Sequence, residues 1–241
     1  FGAPVDYMDT ALRALRDGGL IALTATDMAP LCGVYPLVSL RKYGGRSLRT
    51  EYCHELAVRL LSGCLALAAA RHNAGVRLLF SHSTDHYVRV YATASYGAKK
   101  ADESISGMGY ALHCFNCFHR ETYQESVPSS PRQCRECGSR LKVAGPFWLG
   151  RIFEKDFVSS MIREMADRRL RNEKRVLRLL SLIEGECDAP LTYYVVNKMC
   201  DKFNLAVPPL KDVIGEIKSA GFVVSLTHFN KMGFKTDAPA P

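Results

Sequence analysis

Two Cys-x-x-Cys pairs, Cys114/Cys117 and Cys134/Cys137, stand sixteen residues apart in the stretch HCFNCFHRETYQESVPSSPRQCRECGSR (113–140). A Cys-x-x-Cys turn places two thiolates on one side of a knuckle, and two knuckles complete a sulfur tetrahedron around zinc. Gly138, directly after the second pair, lets that turn close. The rival use of such cysteines, a redox dithiol, needs one pair at the start of a helix and not two. Four thiolates leave no open position, so the expected zinc is structural and the adjacent His113 and His119 are superfluous. The intervening YQESVPSSPRQ is expected to be a loop that the metal orders.

The other five of the nine cysteines (Cys32, Cys53, Cys64, Cys187, Cys200) lie singly in apolar or helical contexts. That is not a secreted disulfide framework, and a reducing, cytoplasmic setting is expected. No uninterrupted apolar run reaches the roughly 18 residues of a membrane helix; LLSGCLALAAA (60–70) reads as buried helix, and no membrane association is expected. At 241 residues the chain has room for two domains, and its net charge of +8 permits a polyanionic partner without selecting one. The chain starts on FGAP with Phe1, and is expected to be a fragment of a longer protein.

Periodicity predicts an order of elements. VDYMDTALRALR (5–16) has helical spacing, and LIALTAT (20–26) is a short buried strand. A looping region with Pro30, Gly33, Pro36 and KYGG follows. Residues 49–75 form one long helix closed by Asn73 and Gly75. VRLLFSHST (76–84) and HYVRVYATAS (86–95) are strands joined tightly at Asp85, hence antiparallel to each other. This is the second half of a doubly wound α/β domain. Residues 96–107 read as a polar connection. Residues 153–186 give two helices with a break near Arg171-Asn172. Helices over 190–204 and 209–222 and a strand over 222–230 complete a winged-helix-like pattern. The expected domains are 1–107 (α/β), 108–150 (zinc-binding) and 151–241 (helix-rich α+β).

Several side chains are candidates for chemistry. In EYCHE (51–55), Cys53 and His54 point about 100° apart on a helix and are not expected to pair, while Glu51 and Glu55 share a face. A helix whose polar side covers a cleft is the preferred reading. STDHY (83–87) puts Asp85 and His86 at a strand connection that borders a cleft in many α/β sheets, and a plain polar turn fits the stretch equally well. RRLRNEKRV (168–176) is a basic helical run suited to nucleic-acid phosphates.

Together FGAP, TATDMAPLCG, RKYGGRSLRTEYCHE, FSHSTDHYVRVY, GAKKADES, KVAGPFWLG and THFNKMGFKTDAP resemble the tRNA (guanine-N2-)-dimethyltransferase family, in its archaeal type, from Phe1 to about Pro239. The resemblance implies a Rossmann-like class I methyltransferase domain, of which this chain holds the second half. A four-cysteine zinc insert and a family-specific tRNA-binding domain then follow. It implies transfer of methyl groups from S-adenosylmethionine to the exocyclic N2 of guanine 26 of tRNA. FGAP matches the back of the family's Asp-Pro-Phe-Gly motif, so Phe1, Gly2 and Pro4 are its catalytic-loop remnant, with Phe1 as the aromatic wall for a flipped base. The Asp-Pro and most of the cofactor site are expected upstream. Thr24, Thr26 and Asp27, ending a strand, are expected pocket residues; Arg49, Glu51, Tyr52 and His54 lie in the family's long motif. Asp85, His86, Arg168, Arg169, Arg171 and Arg175 complete the expected substrate contacts, with 227–235 as a further RNA-facing segment.

Two other readings stay open. One is a tRNA-binding paralogue that has lost the chemistry, and the other a zinc-ribbon nucleic-acid-binding regulator in which the α/β half plays no part.

Overall fold

The structure is a computed structural model that describes residues 2–124, 133–166, 168 and 170–240. It divides into two compact units, Phe1–Ile152 with the last two residues, and Phe153–Pro239. Phe1 and Arg169 lie outside the described residues, as does 125–132, most of the loop between the cysteine pairs.

The first unit opens with helix α1 (Val5–Ala14), then strand β1 (Gly19–Ala25). Where the sequence reads as loop there are two helices, α2 (Met28–Leu31) and α3 (Pro36–Tyr43). Proline hid them: it breaks a helix interior but suits the first turn, and Pro36 starts α3. Helix α4 (Cys53–Ala70) is shorter than expected, because Thr50 and Tyr52 are buried in a turn that precedes it. Strands β2 (Ala74–Thr84) and β3 (Tyr87–Tyr96) follow, joined at Asp85, whose φ is +54°.

Strand β3 pairs antiparallel with both β1 and β2, giving the order β1-β3-β2. Thus β1 and β2 run parallel with a reversed strand between them. Val88, Val90, Ala92 and Ala94 alternate inward along β3, the period-2 signature of a strand with one buried face. Helix α4 packs on β2 and β3. By length and composition it is long and apolar enough to cross a bilayer, yet most of it is buried within the fold. Its Glu55 is fully buried, not lining a cleft, and pairs with Arg59 at 2.9 Å. Arg59 Nη1 also donates to the carbonyls of Trp148 (3.1 Å) and Gly150 (3.0 Å).

The 96–107 connection contains a further helix, α5 (Ala98–Ser106), its inner face made of the small residues Ala101 and Ser104. Small residues gave little apolar periodicity to read. Ser104 Oγ accepts from the Val76 amide at 2.8 Å and fixes α5 to β2. Strands β4 (Met108–His113), β5 (Arg120–Gln124) and β6 (Lys142–Trp148) form a second antiparallel sheet in the order β5-β4-β6, which carries the knuckles.

The second unit contains α6 (Lys155–Ala166) and α7 (Glu173–Glu186), with the expected break between them. Strand β7 (Tyr194–Val195) and helix α8 (Val196–Phe203) replace the single helix expected over 190–204. Helix α9 (Leu210–Ser219), then β8 (Val224–Leu226) and β9 (Gly233–Thr236), complete it, with sheet order β7-β9-β8. The strand expected over 222–230 is confined to β8. Segment 227–235 faces largely inward rather than towards solvent. Glu186 accepts from the Thr227 hydroxyl (2.7 Å) and the His228 amide (2.6 Å), and its carboxylate lies 3.9 Å from buried Lys235 Nζ.

Candidate active site and metal centre

The register of the first sheet decides which residues meet. Ala25 at the end of β1 faces Val88, and Thr84 at the end of β2 faces Tyr87. The C-terminal ends of β1 and β2 therefore share one edge, the edge where open α/β sheets bind ligands. It gathers Thr24, Thr26 and Asp27 after β1, and exposed Asp85 and His86 in the β2–β3 turn.

The FGAP remnant is fastened to the same edge. The Gly2 amide donates to Thr26 Oγ1 at 2.8 Å, and the Thr26 amide donates to the Gly2 carbonyl at 3.0 Å. Gly2 has φ +106°, and nothing lies within 4 Å of where a Cβ would stand. Pro4 precedes α1 as its cap residue. Thr24 Oγ1 accepts from Arg89 Nε at 2.8 Å, which anchors that side chain on the sheet. Asp27 Oδ1 accepts a short hydrogen bond from the Tyr43 hydroxyl. Its Oδ2 is buried, has no hydrogen-bond partner, and faces Lys42 Nζ at 3.7 Å. Burial and the neighbouring Asp27 push the Tyr43 hydroxyl pKa well up, so it stays a donor.

The long motif divides. Arg49 is exposed. The Glu51 side chain is buried, 3.3 Å from Arg120 Nη1 and 3.8 Å from His113 Nε2. Burial pushes its carboxyl up, against the opposing pull of Arg120. The Arg120 guanidinium lies over the fully buried Tyr52 ring at 4.8 Å from its centroid. His113 meets that ring edge-on at 5.4 Å, so it braces the second sheet against α4 and is not idle. His54 and Cys53 are not separated as their helical neighbourhood implies. Their ligand atoms and Cys32 Sγ all lie within 4.8 Å of one another. Two side chains 100° apart can both reach a third group placed between them, and Cys32 is that group.

The four clustered cysteines converge. Cys114 and Cys137 sulfurs are 3.5 Å apart, as are those of Cys117 and Cys134, and all four lie within 4.8 Å. The knuckles repeat one backbone pattern. Phe118 N donates to Cys114 O and Gly138 N to Cys134 O, at 3.0 and 2.8 Å, and the amides of Cys114 and Cys134 return bonds to His119 and Ser139. Gly138 has φ +71° and Phe118 φ +59°. Hydrogen bonds from Ser139, then Asn116, hold the Cys137 thiol down at about 5, so it is poised as thiolate. Soft sulfur donors in a closed set of four fit zinc.

The basic run is not one helical face. Arg168 and Arg171 lie in the connection between α6 and α7, and Arg175 in the first turn of α7; all three are exposed. Arg168 Nη2 pairs with Glu164 at 3.1 Å.

A family model described as N2,N2-dimethylguanosine tRNA methyltransferase matches residues 1–241. The chain belongs to this family. The tRNA (guanine(26)-N(2))-dimethyltransferase of Methanothermobacter thermautotrophicus is 42% identical over 238 residues, covering 99% of this chain and 62% of that protein. The Pyrococcus horikoshii protein of the same name is 34% identical over 239 residues, 99% of this chain and 60% of its own. The structure of Trm1 from Pyrococcus horikoshii with S-adenosyl-L-methionine superposes with a TM-score of 0.89 at 34% identity, covering 99% of this chain and 62% of that one. The chain thus spans about three fifths of the length of the curated relatives it matches. The fold is that of the class I methyltransferases, with β1, β3 and β2 as the sheet edge that carries the reversed strand.

Two residues of the site in this family member escape sequence reading. Cys32 reads as a lone apolar cysteine, and only the fold brings it to Cys53. Tyr43 reads as part of a glycine-flanked loop; its burial at the end of α3 is not legible without the helix.

Proposed function

We propose that the protein methylates the exocyclic N2 of guanine 26 in tRNA, using S-adenosylmethionine, and that the edge formed by Gly2, Pro4, Thr24, Thr26 and Asp27 is the guanine side of its site. The observation that carries this reading is the Gly2–Thr26 pair of hydrogen bonds, which fastens the FGAP loop to the residue before Asp27. The names of the relatives support the substrate, and the S-adenosyl-L-methionine complex of the P. horikoshii protein supports the cofactor. When bound, S-adenosylmethionine supplies an electrophilic methyl group on a sulfonium centre.

The residues of this chain do the positioning. Phe1 stacks on the base withdrawn from its helix. Gly2, with no side chain and open space above it, lets the base approach the backbone. Once the half-exposed Lys42 side chain moves off it, Asp27 Oδ2 accepts a hydrogen of the guanine amine, which frees the nitrogen lone pair from the ring and turns it towards the methyl group. Asp85 and His86 stand at the rim, exposed Arg49 and the neighbouring His54 offer further substrate contacts, and Glu51 and Tyr52 brace the start of α4 against Arg120 and His113. Arg168, Arg169, Arg171 and Arg175 contact phosphates of the tRNA, which positions it without reading its sequence.

The four cysteines hold a structural zinc, with Cys114, Cys117, Cys134 and Cys137 as ligands. The second unit is winged-helix-like: α7, β7, α8 and α9 followed by β8 and β9, with the middle strand of the sheet last in sequence.

Single-turnover methyl transfer by Asp27→Asn tests the site. Asn still accepts from Tyr43 but offers Lys42 and the amine no charge. The rate at saturating tRNA should fall about 100-fold, the size lost with one positioned charge-stabilising group, while tRNA affinity changes little. An unchanged rate would remove Asp27 from the site.

A further inference from the structure

We propose that Cys32, Cys53 and His54 form a second metal-binding site, three ligands for one thiophilic divalent ion such as Zn2+ or Cd2+, with its fourth position open to water. Two sulfurs and one imidazole nitrogen lie within 4.8 Å of one another. Ligands of one tetrahedral zinc stand about 3.5–3.8 Å apart, so closing the set needs side-chain shifts of about an ångström or less. All three residues are partly exposed, and an ion can reach them.

The approach of the two segments is built into the backbone. Cys32 ends α2, and its amide donates to the Met28 carbonyl at 2.7 Å. The next residue, Gly33, has φ +82°, and a Cβ there would stand 2.2 Å from the Leu48 carbonyl carbon. The chain after β1 therefore lies against the segment that leads into α4, and Ser47 Oγ secures it by donating to the Leu31 carbonyl. Cys32 Sγ comes to 3.8 Å from the Cys53 carbonyl.

The chemistry favours a soft ion. Cys53 is the first residue of an 18-residue helix, where the exposed amides favour a thiolate. Thiolate with imidazole selects zinc-like ions over magnesium or calcium, which take oxygen. Unlike the four-cysteine knuckle, this set leaves one position free. A bound ion would tie the segment that follows Asp27 to the start of α4.

The test is a titration of metal-stripped protein with Cd2+ alone, read by thiolate-to-cadmium absorption in the ultraviolet. The protein should take up two equivalents per chain. Cys32→Ser and Cys53→Ser should each lose one equivalent and keep the other, with thermal melts confirming that they fold. His54→Ala should weaken the second equivalent on the order of tenfold or more. His54→Cys should restore it and absorb about half as strongly again per ion, three thiolates in place of two. A single equivalent in the parent protein would overturn the proposal. So would an unchanged two equivalents in Cys32→Ser, or a Cys32–Cys53 disulfide in protein purified without reductant.

Discussion

Single residues in this chain often have roles that only their neighbours reveal. Glu55 and Arg59 form an i, i+4 pair that on an exposed helix would contribute a few tenths of a kcal/mol. Here both are buried, and Arg59 also binds the carbonyls of Trp148, at the end of the second sheet, and Gly150 just after it. Glu55→Ala would leave a buried guanidinium without its carboxylate, and should cost about 3–5 kcal/mol. Urea unfolding measures this; a change below about 1 kcal/mol, the worth of an exposed pair, would show that the pair does not lock α4 to the second sheet. Phe1→Ala should lower kcat/KM for methyl transfer by the equivalent of about 1–3 kcal/mol, the worth of one base–aromatic stack, with Phe1→Tyr milder. Equal activity of the alanine variant would take Phe1 off the base. The cysteine spacing and the strand-end polar residues were legible in the sequence because their signals are local. The inward turn of Thr227 and His228 onto Glu186 was not: their partner is about forty residues away, and a polar side chain buried by pairing looks like one facing solvent.

Elements were legible where apolar period and turn residues agreed, as in β1, β2, β3 and the break between α6 and α7. They were missed where the buried face was small, as in α5, or where proline opened a helix, as in α3. The knuckle region shows a third case. Its cysteine spacing announced four converging thiols, while the three strands β5-β4-β6 that carry them were hidden by the loop-like composition between them. Cys134 and Cys114 sit in a small buried cluster with Leu112 and Leu141. Removing the metal should therefore loosen β4 and β5 as well as the knuckles. Cys134→Ser should cost the chain about one zinc, and this variant, like chelation, should raise hydrogen exchange across 108–124 and 133–145, while β1–β3 stay protected. Unaltered exchange in the second sheet would argue that the four sulfurs do not hold it together.

At the scale of the molecule, the net charge of +8 and the exposed arginines around the α6–α7 connection would give the proposed tRNA binding a sequence-independent component. Reversing Arg168, Arg171 and Arg175 to Glu should weaken binding to all tRNAs alike. It should flatten the slope of log affinity against log salt by about two to three units, close to one per lost phosphate contact. An unchanged slope would make the run a solvated surface. Phosphate contacts cannot choose a guanine, so under the proposed function that choice falls to the sheet edge at Gly2, Thr26 and Asp27. The most direct measurement is the position and identity of the methylated nucleoside. Two tRNA transcripts, one with guanine and one with adenine at position 26, are incubated with the full-length protein and S-adenosylmethionine, then digested and mapped by mass. The account predicts N2-methylated guanosine at position 26 of the first transcript and no methylation of the second, although both bind. Methylation of the adenine-26 transcript, or of another atom in the first, would contradict it.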